Sequence, residues 1–388
     1  MERDSRLVYA LQMENLFLES VSDSMGLYIH VPFCRSRCTY CDFVSYTDFS
    51  KVEEYFEALW KELKLWSEHL SSLSIDTIYI GGGSPSDVPF NLLERTLSHV
   101  QSFFSLKNGP EITVEINPNC EFVEKLKLLG VNRVSIGLQA ADETVLRRAG
   151  RRHSLVDFFK VFERARNFAK LNVDFIVGLP GESEETINND IRTIEELKPD
   201  HVSIYLLEVH EKRLETPSRD VMMERYERFV EATQSMGYFR YEISNFALND
   251  KFCRHNLKYW RNENYLGVGV SAGGHLGNIR YVNTPDLHDY VLRISKGELA
   301  FEYFSRNDTV QELKETIFMG LRLSEGVSVR RLKKICPWFD PNALFSDLFG
   351  ELLELHDDRL RLTKEGFDRS CEVLADVIDR ISSMAVGR

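Results

Sequence analysis

Over the first 240 residues, short β-rich apolar runs alternate with amphipathic stretches of helical period. The pattern predicts strands at 27–33, 75–80, 111–117, 133–138, 173–178 and 201–207. Between and after them it predicts helices near 51–70, 88–104, 121–129, 154–170, 184–197 and 221–236. Pro32, Gly81, Pro118, Gly137 and Pro180 stand where strands stop. Strand-then-helix units in succession read as a parallel α/β architecture. Six such units, rather than eight, predict a partial TIM-like (β/α)6 barrel with an open side that would admit a large substrate.

The periodicity changes beyond the sixth unit. Residues 239–304 form a segment rich in aromatics and glycine. From 305 to 388 helical patterns at 309–323, 328–336, 342–356 and 366–384 surround the alternation Arg359-Leu360-Arg361-Leu362, which predicts a small helical, winged-helix-like domain. Asp308 is the expected N-cap of its first helix. The expected division is therefore an N-terminal segment 1–26, a barrel 27–238, the segment 239–304, and the C-terminal domain 305–388.

Composition narrows the function classes. A net charge of −12 argues against general nucleic-acid binding, which needs phosphate-neutralising cations; Arg330-Arg331-Leu332-Lys333-Lys334 is the contrary patch. No run of eighteen apolar residues suggests a membrane span, and Met1 to Arg6 does not begin an export signal. With seven cysteines that show no pairing pattern, a reducing, cytoplasmic setting is expected.

The chemistry lies in the spacing Cys34-x3-Cys38-x2-Cys41, directly after the first strand. Three clustered thiolates select an iron–sulfur cluster, zinc or copper(I). Structural zinc wants a fourth ligand, and Asp42-Phe43-Val44-Ser45-Tyr46 supplies no soft donor. A cubane held by three cysteines keeps one iron open to an outside ligand. Other notable residues fall at the same ends of the predicted strands: Gly81-Gly82-Gly83-Ser84-Pro85, Glu115 to Pro118, Gln139, Asp174 and Leu206. In barrel-like α/β folds those ends form one functional rim. Taken alone, the glycine run reads equally as a tight turn, and Glu115 as an ion-paired strand end. The dense cations Arg147 to Arg152 suit either carboxylate recognition or a helix C-terminus.

The string from Leu27 to Phe43 resembles the cluster loop of the radical S-adenosylmethionine (SAM) superfamily. More narrowly it resembles the group of oxygen-independent coproporphyrinogen III oxidases and their heme-chaperone relatives. The resemblance implies a [4Fe-4S] cluster on Cys34, Cys38 and Cys41, with the open iron chelating the amino and carboxylate groups of SAM. It implies contacts to a first SAM from Tyr28, Gly82 and Glu115. Contacts to a second are implied for Tyr40, Gly83, Ser84, Gln139, Arg151, Asp174 and Leu206.

Two features separate the branches. The oxidases carry a further cysteine two residues past the third ligand, where this chain has Phe43. Further on, His255-Asn256-Leu257-Lys258-Tyr259-Trp260 matches a signature of the chaperone branch. His and Tyr ligate heme iron and Trp offers a flat apolar face, although the same residues also make an aromatic core turn. With the resemblance, His255, Tyr259 and Trp260 become heme-contact candidates, with nearby Cys253 as an alternative ligand. The expected partners are heme and a heme-acceptor protein; the alternative activity is radical decarboxylation of coproporphyrinogen III. One departure stands out: the histidine after Gly267-Val268-Gly269 comes two residues late, as His275.

Overall fold

The computed structural model describes residues 24–70, 72–208 and 215–386. The expected N-terminal segment lies outside the described residues up to position 23. The chain then runs β1 (Ser24–Val31), α1 (Val52–Ser67), β2 (Ser74–Gly82), α2 (Phe90–Phe103), β3 (Ser105–Ile116), a 3-10 helix (Val123–Leu129) and β4 (Arg133–Gln139). It continues through α3 (Glu143–Arg148), α4 (Leu155–Ala165), β5 (Lys170–Val177), α5 (Glu184–Leu197), β6 (His201–Leu206) and α6 (Arg219–Ser235). Strands β1 to β6 lie side by side in sequence order, every neighbouring pair parallel. This is the expected partial barrel.

Alternation along the strands explains both of its faces. Val134, Ile136 and Leu138 of β4, Val173, Phe175 and Val177 of β5, and Val202 and Ile204 of β6 join the apolar core beneath the helices. Burial of each such side chain contributes about 1.5–3 kcal/mol. The intervening residues Ser135, Gly137, Asn172, Asp174, Ser203 and Tyr205 face an internal cavity instead. Capping boxes at Ser154 and Ser183 start α4 and α5.

The aromatic and glycine-rich segment turns out to extend the same sheet at both edges. It contributes β7 (Phe239–Arg240), β8 (Asn245–Ala247), α7 (Arg254–Trp260), β9 (Tyr265–Val268), β10 (Gly273–Leu276), β11 (Ile279–Asn283), α8 (Leu287–Ser295) and β12 (Phe301–Arg306). The sheet order is β12-β11-β10-β9-β1-β2-β3-β4-β5-β6-β8-β7, so β1 and β6 pair outward rather than with each other. None of these short strands was predicted, and the expected boundary at 304/305 falls inside β12.

A second core spans Leu313 to Ile381. Its elements are α9 (Thr309–Gly320), β13 (Val327–Ser328), α10 (Val329–Ile335), α11 (Pro341–Phe345), β14 (Leu353–His356), β15 (Arg359–Leu362), α12 (Lys364–Asp368) and α13 (Ser370–Val386). Asp308 caps α9 as expected, accepting from the Gln311 amide at 2.8 Å. The helix expected over 342–356 is a correction: it stops at Phe345, and Leu353–His356 pairs antiparallel with β15. The cause is the turn at Asp357 and Asp358, both left-handed (φ 45° and 69°), which closes a hairpin. The basic patch is partly committed within the fold. Arg331 donates to the carbonyls of Arg261 and Asn262, and Arg330 pairs with Asp358 at 3.0 Å. No helix among the described residues is long and apolar enough to cross a membrane.

Candidate functional site

The cysteine loop leaves β1 at Pro32 and is shaped by its own backbone hydrogen bonds. The Cys34 amide donates to Tyr46 O (3.0 Å), the Tyr46 amide to Pro32 O (2.7 Å), and the Thr39 amide to Ala149 O (3.1 Å). Cys34, Cys38 and Cys41 are half-buried free thiols. Burial, then Asp87 and the neighbouring Cys41, push the Cys34 thiol up to about 12. Binding as a thiolate therefore has to release a proton. His30, near the end of β1, supports this loop. One ring nitrogen bonds the Tyr28 hydroxyl (2.9 Å) and the other the carbonyl of Val44 (2.9 Å). The signal available was its register: His30 and Tyr28 share a face of β1.

The glycine run packs against the loop. The Gly83 amide donates to Val31 O at 2.9 Å, and a Cβ at Gly83 would lie 2.7–2.8 Å from the backbone of Val31 and Phe33. A Cβ at Gly81 would strike the Glu115 carboxyl at 2.7–2.9 Å. Glu115 is held at both oxygens: Oε1 accepts from the Tyr79 hydroxyl (2.7 Å) and Oε2 from the Gly82 amide (3.1 Å). Burial raises its carboxyl to about 7, Asp174 adds to the rise, and the Tyr79 and Gly82 donors oppose it. Asp174 is raised as well, first by burial, although Ser135 and Asn172 each donate to it at 2.8 Å.

These groups surround a cavity of about 630 Å3. Its lining includes all three loop cysteines with Tyr40, Gly82, Gly83, Ser84, Glu115, Gln139, Arg151, Asp174 and Leu206. Tyr28 is not part of that lining; its hydroxyl is turned to His30. Arg151 crosses the rim, bonding Asn117 Oδ1 (2.9 Å) and Gly137 O (2.6 Å), with its Nη1 3.6 Å from Cys38 Sγ. Asn117, which the sequence reading passed over within its rim segment, also donates to Ser84 at 2.8 Å and so ties three strand ends together. Gln139 sits at φ 78°, and its buried Oε1 has no partner.

The segment expected to face heme has a different setting. His255 is fully buried in the barrel, with Nδ1 2.8 Å from the Thr77 hydroxyl and Nε2 2.8 Å from that of Tyr259. Both ring nitrogens are taken, so neither is open to an iron. Trp260 lies under the Arg322 guanidinium, 5.3 Å from its ring centre. Cys253 is buried with its thiol 3.7 Å from Glu111, and burial pushes it up to about 12. The displaced His275 is buried too, 3.7 Å from Glu312 of α9.

Comparison with known proteins agrees with this geometry. Residues 28–194 match the radical SAM superfamily and residues 310–368 the HemN C-terminal domain. The solved coproporphyrinogen III oxidase HemN of Escherichia coli superposes with a TM-score of 0.78, covering 95% of this chain and 93% of that one. At 20% identity that likeness establishes the fold alone. Barrel, cysteine loop and domain matches define a radical SAM protein.

Two relatives narrow the class. The heme chaperone HemW of Bacillus subtilis is 35% identical over 321 residues, covering 78% of this chain and 85% of that protein. HemW of Lactococcus lactis is 33% identical over 365 residues, covering 88% and 94%. The chain belongs to the HemW family of radical SAM proteins.

The superfamily implies a [4Fe-4S] cluster and SAM, and the residues present fit them. Three thiols outside any disulfide share one loop at the cavity, and Gln139 Oε1 and Arg151 Nε are buried there without partners. Among the described residues, no three His, Cys, Asp or Glu side chains gather around a single ion. A cubane spreads its ligands over separate irons and does not need that convergence.

Proposed function

We propose that this protein binds a [4Fe-4S] cluster through Cys34, Cys38 and Cys41, holds SAM at the open iron, and carries heme to an acceptor protein. The observation that carries the heme reading is the 35% identity to a heme chaperone across 85% of that protein's length. Phe43 supports it: the side chain just past the third cysteine is an aromatic, 65% exposed at the cavity, where the oxidase branch has a thiol. The bound cluster would supply the electron for reductive cleavage of SAM.

In this reading Glu115 and Gly82 hold the first SAM. Tyr28 contributes through the His30 bond that shapes the loop. Tyr40, Gly83, Ser84, Gln139, Arg151, Asp174 and Leu206 form the rest of the SAM-facing wall. Contact between heme and His255 would require α7 to leave the barrel, because His255 is fully buried there, whereas Tyr259 and Trp260 are only half-buried.

The test is anaerobic. The cluster is reconstituted, heme is titrated by its Soret band, and coproporphyrinogen III turnover is assayed separately with SAM and reductant. Saturable heme binding without protoporphyrinogen formation is expected. Protoporphyrinogen formation without heme binding would overturn the chaperone reading in favour of the oxidase.

A further inference from the structure

We propose that the His255 segment is a support for the SAM site: α7 plugs the barrel and, through Tyr79, fixes the carboxylate of Glu115. This rests on the reading that Glu115 contacts SAM. It assigns His255 as a positioning residue.

The plug is anchored from three strands. Arg133 of β4 donates to the carbonyls of Lys251 and Phe252 at 2.6 and 2.7 Å. Glu111 of β3 accepts from the His255 amide at 3.1 Å and from Arg133 Nε at 3.2 Å. Lys258 pairs with Asp76 of β2 at 3.1 Å. Each anchor is a charge-assisted contact, stronger than a neutral hydrogen bond.

Into that fixed frame the His255 ring is set with no freedom to turn. Thr77 and Tyr259 hold its two nitrogens, and its face stacks on Tyr79 with ring centres 5.3 Å apart and planes at 29°. Tyr79 in turn donates to Glu115 Oε1 at 2.7 Å, while the Gly82 amide holds Oε2. The Glu115 carboxyl fills the space where a Cβ of Gly81 would stand, so its position also shapes the glycine run. A ring locked at both nitrogens is a backstop for Tyr79. Removing it frees Tyr79 to swing into the vacated volume, away from Glu115. Asn256, the next residue along α7, lines the SAM cavity itself.

The experiment measures SAM affinity by equilibrium dialysis on cluster-reconstituted full-length protein, with heme affinity followed in parallel by the Soret band. Tyr79→Phe deletes the donor to Glu115 and His255→Ala deletes the backstop. Each is expected to weaken SAM binding about tenfold, the scale of one hydrogen bond to a charged group. If His255 acts through Tyr79, the double variant loses no more than about the same tenfold. Losses that multiply to about a hundredfold overturn the proposal.

Unchanged SAM affinity in His255→Ala overturns it too, above all if heme binding is lost, which would return the residue to heme. Should His255→Ala fail to fold, Thr77→Val combined with Tyr259→Phe keeps the ring but frees both nitrogens. A severalfold loss of SAM affinity is then expected, and no loss overturns the proposal. Wild-type protein that binds no SAM at all overturns the functional reading, and this inference with it.

Discussion

On the proposed reading, in which Glu115 contacts SAM, protonation of this carboxyl sets the affinity for SAM. Its carboxyl is raised from the usual 4.5 to about 7, chiefly by burial, so it is neutral in acid and charged in mild base. The tyrosines around it do not titrate in that window. Burial holds Tyr28, Tyr79, Tyr205 and Tyr259 protonated, far above their ordinary range. Asp174 opposes ionisation of Glu115 by its own charge. A carboxylate accepts from ribose hydroxyls or an ammonium, whereas the protonated acid is a poorer acceptor.

The ionised fraction falls from about nine-tenths at pH 8 to about one-tenth at pH 6. The apparent Kd for SAM should therefore rise about tenfold over that range. The α-amino group of SAM titrates in the same region, near 7.7–8.0 for an ordinary α-amine, so Glu115→Gln is the necessary control. Its affinity should be weaker at pH 8 and less dependent on pH. Equilibrium dialysis with the reconstituted protein reads both proteins. A wild-type profile flat from pH 6 to 8, or an identical fall in Glu115→Gln, would refute the reasoning.

Two further predictions concern the scaffold. Arg133→Met leaves Glu111 buried and uncompensated, and should cost about 3–5 kcal/mol in urea unfolding of the cluster-free protein; a loss below about 1 kcal/mol would count against the plug being anchored there. Glu62, fully buried among donors from Gly269, Tyr290 and Asn283, is raised by burial to about 7. Because its folded value lies above the unfolded 4.5, its contribution is fully present below pH 4.5 and is lost as pH rises through 7. That loss amounts to about 3 kcal/mol. Urea midpoints at pH 5 and 8 should therefore lie closer together in Glu62→Gln than in wild type, and equal spacing would contradict this.

The outward half of each barrel strand was legible because it is apolar at every second position. Val134, Ile136 and Leu138 show the period without help from the rest of the chain. The cysteine spacing and the rim residues were legible for the same local reason. The inward half was not, because polar residues at alternate positions name no partner. That Glu111 meets Arg133, or that Tyr79 meets Glu115, is decided between strands. Strands of four or five residues such as β9, β10 and β11 are too short to show a period. The apolar positions from Leu344 to Leu355 fit a helix as well as a strand, and only the left-handed Asp357-Asp358 turn selects the hairpin. His255 carries two readings for a related reason. An imidazole beside a phenol and an indole has the chemistry of a heme ligand, and only the fold places it in the interior with Thr77 and Tyr259 on its two nitrogens.

The shape of the cysteine loop also bears on how a cofactor would enter. Many small metal sites have no shape until the metal binds, so binding energy is folding energy. Here the loop ends are joined by the Cys34–Tyr46 and Tyr46–Pro32 hydrogen bonds, its middle is tied to Ala149, and His30 holds Val44 from within the barrel. Arg151 reaches Cys38 from the opposite rim. Anchors from β1, α3 and the segment after it fix the loop independently of any iron. Cluster insertion then has to displace thiol protons and a few side-chain contacts, but it need not build the site. The barrel itself is held by a core and a plug in which Cys34, Cys38 and Cys41 have no part. Loss of the cluster should therefore abolish SAM binding while leaving the fold in place.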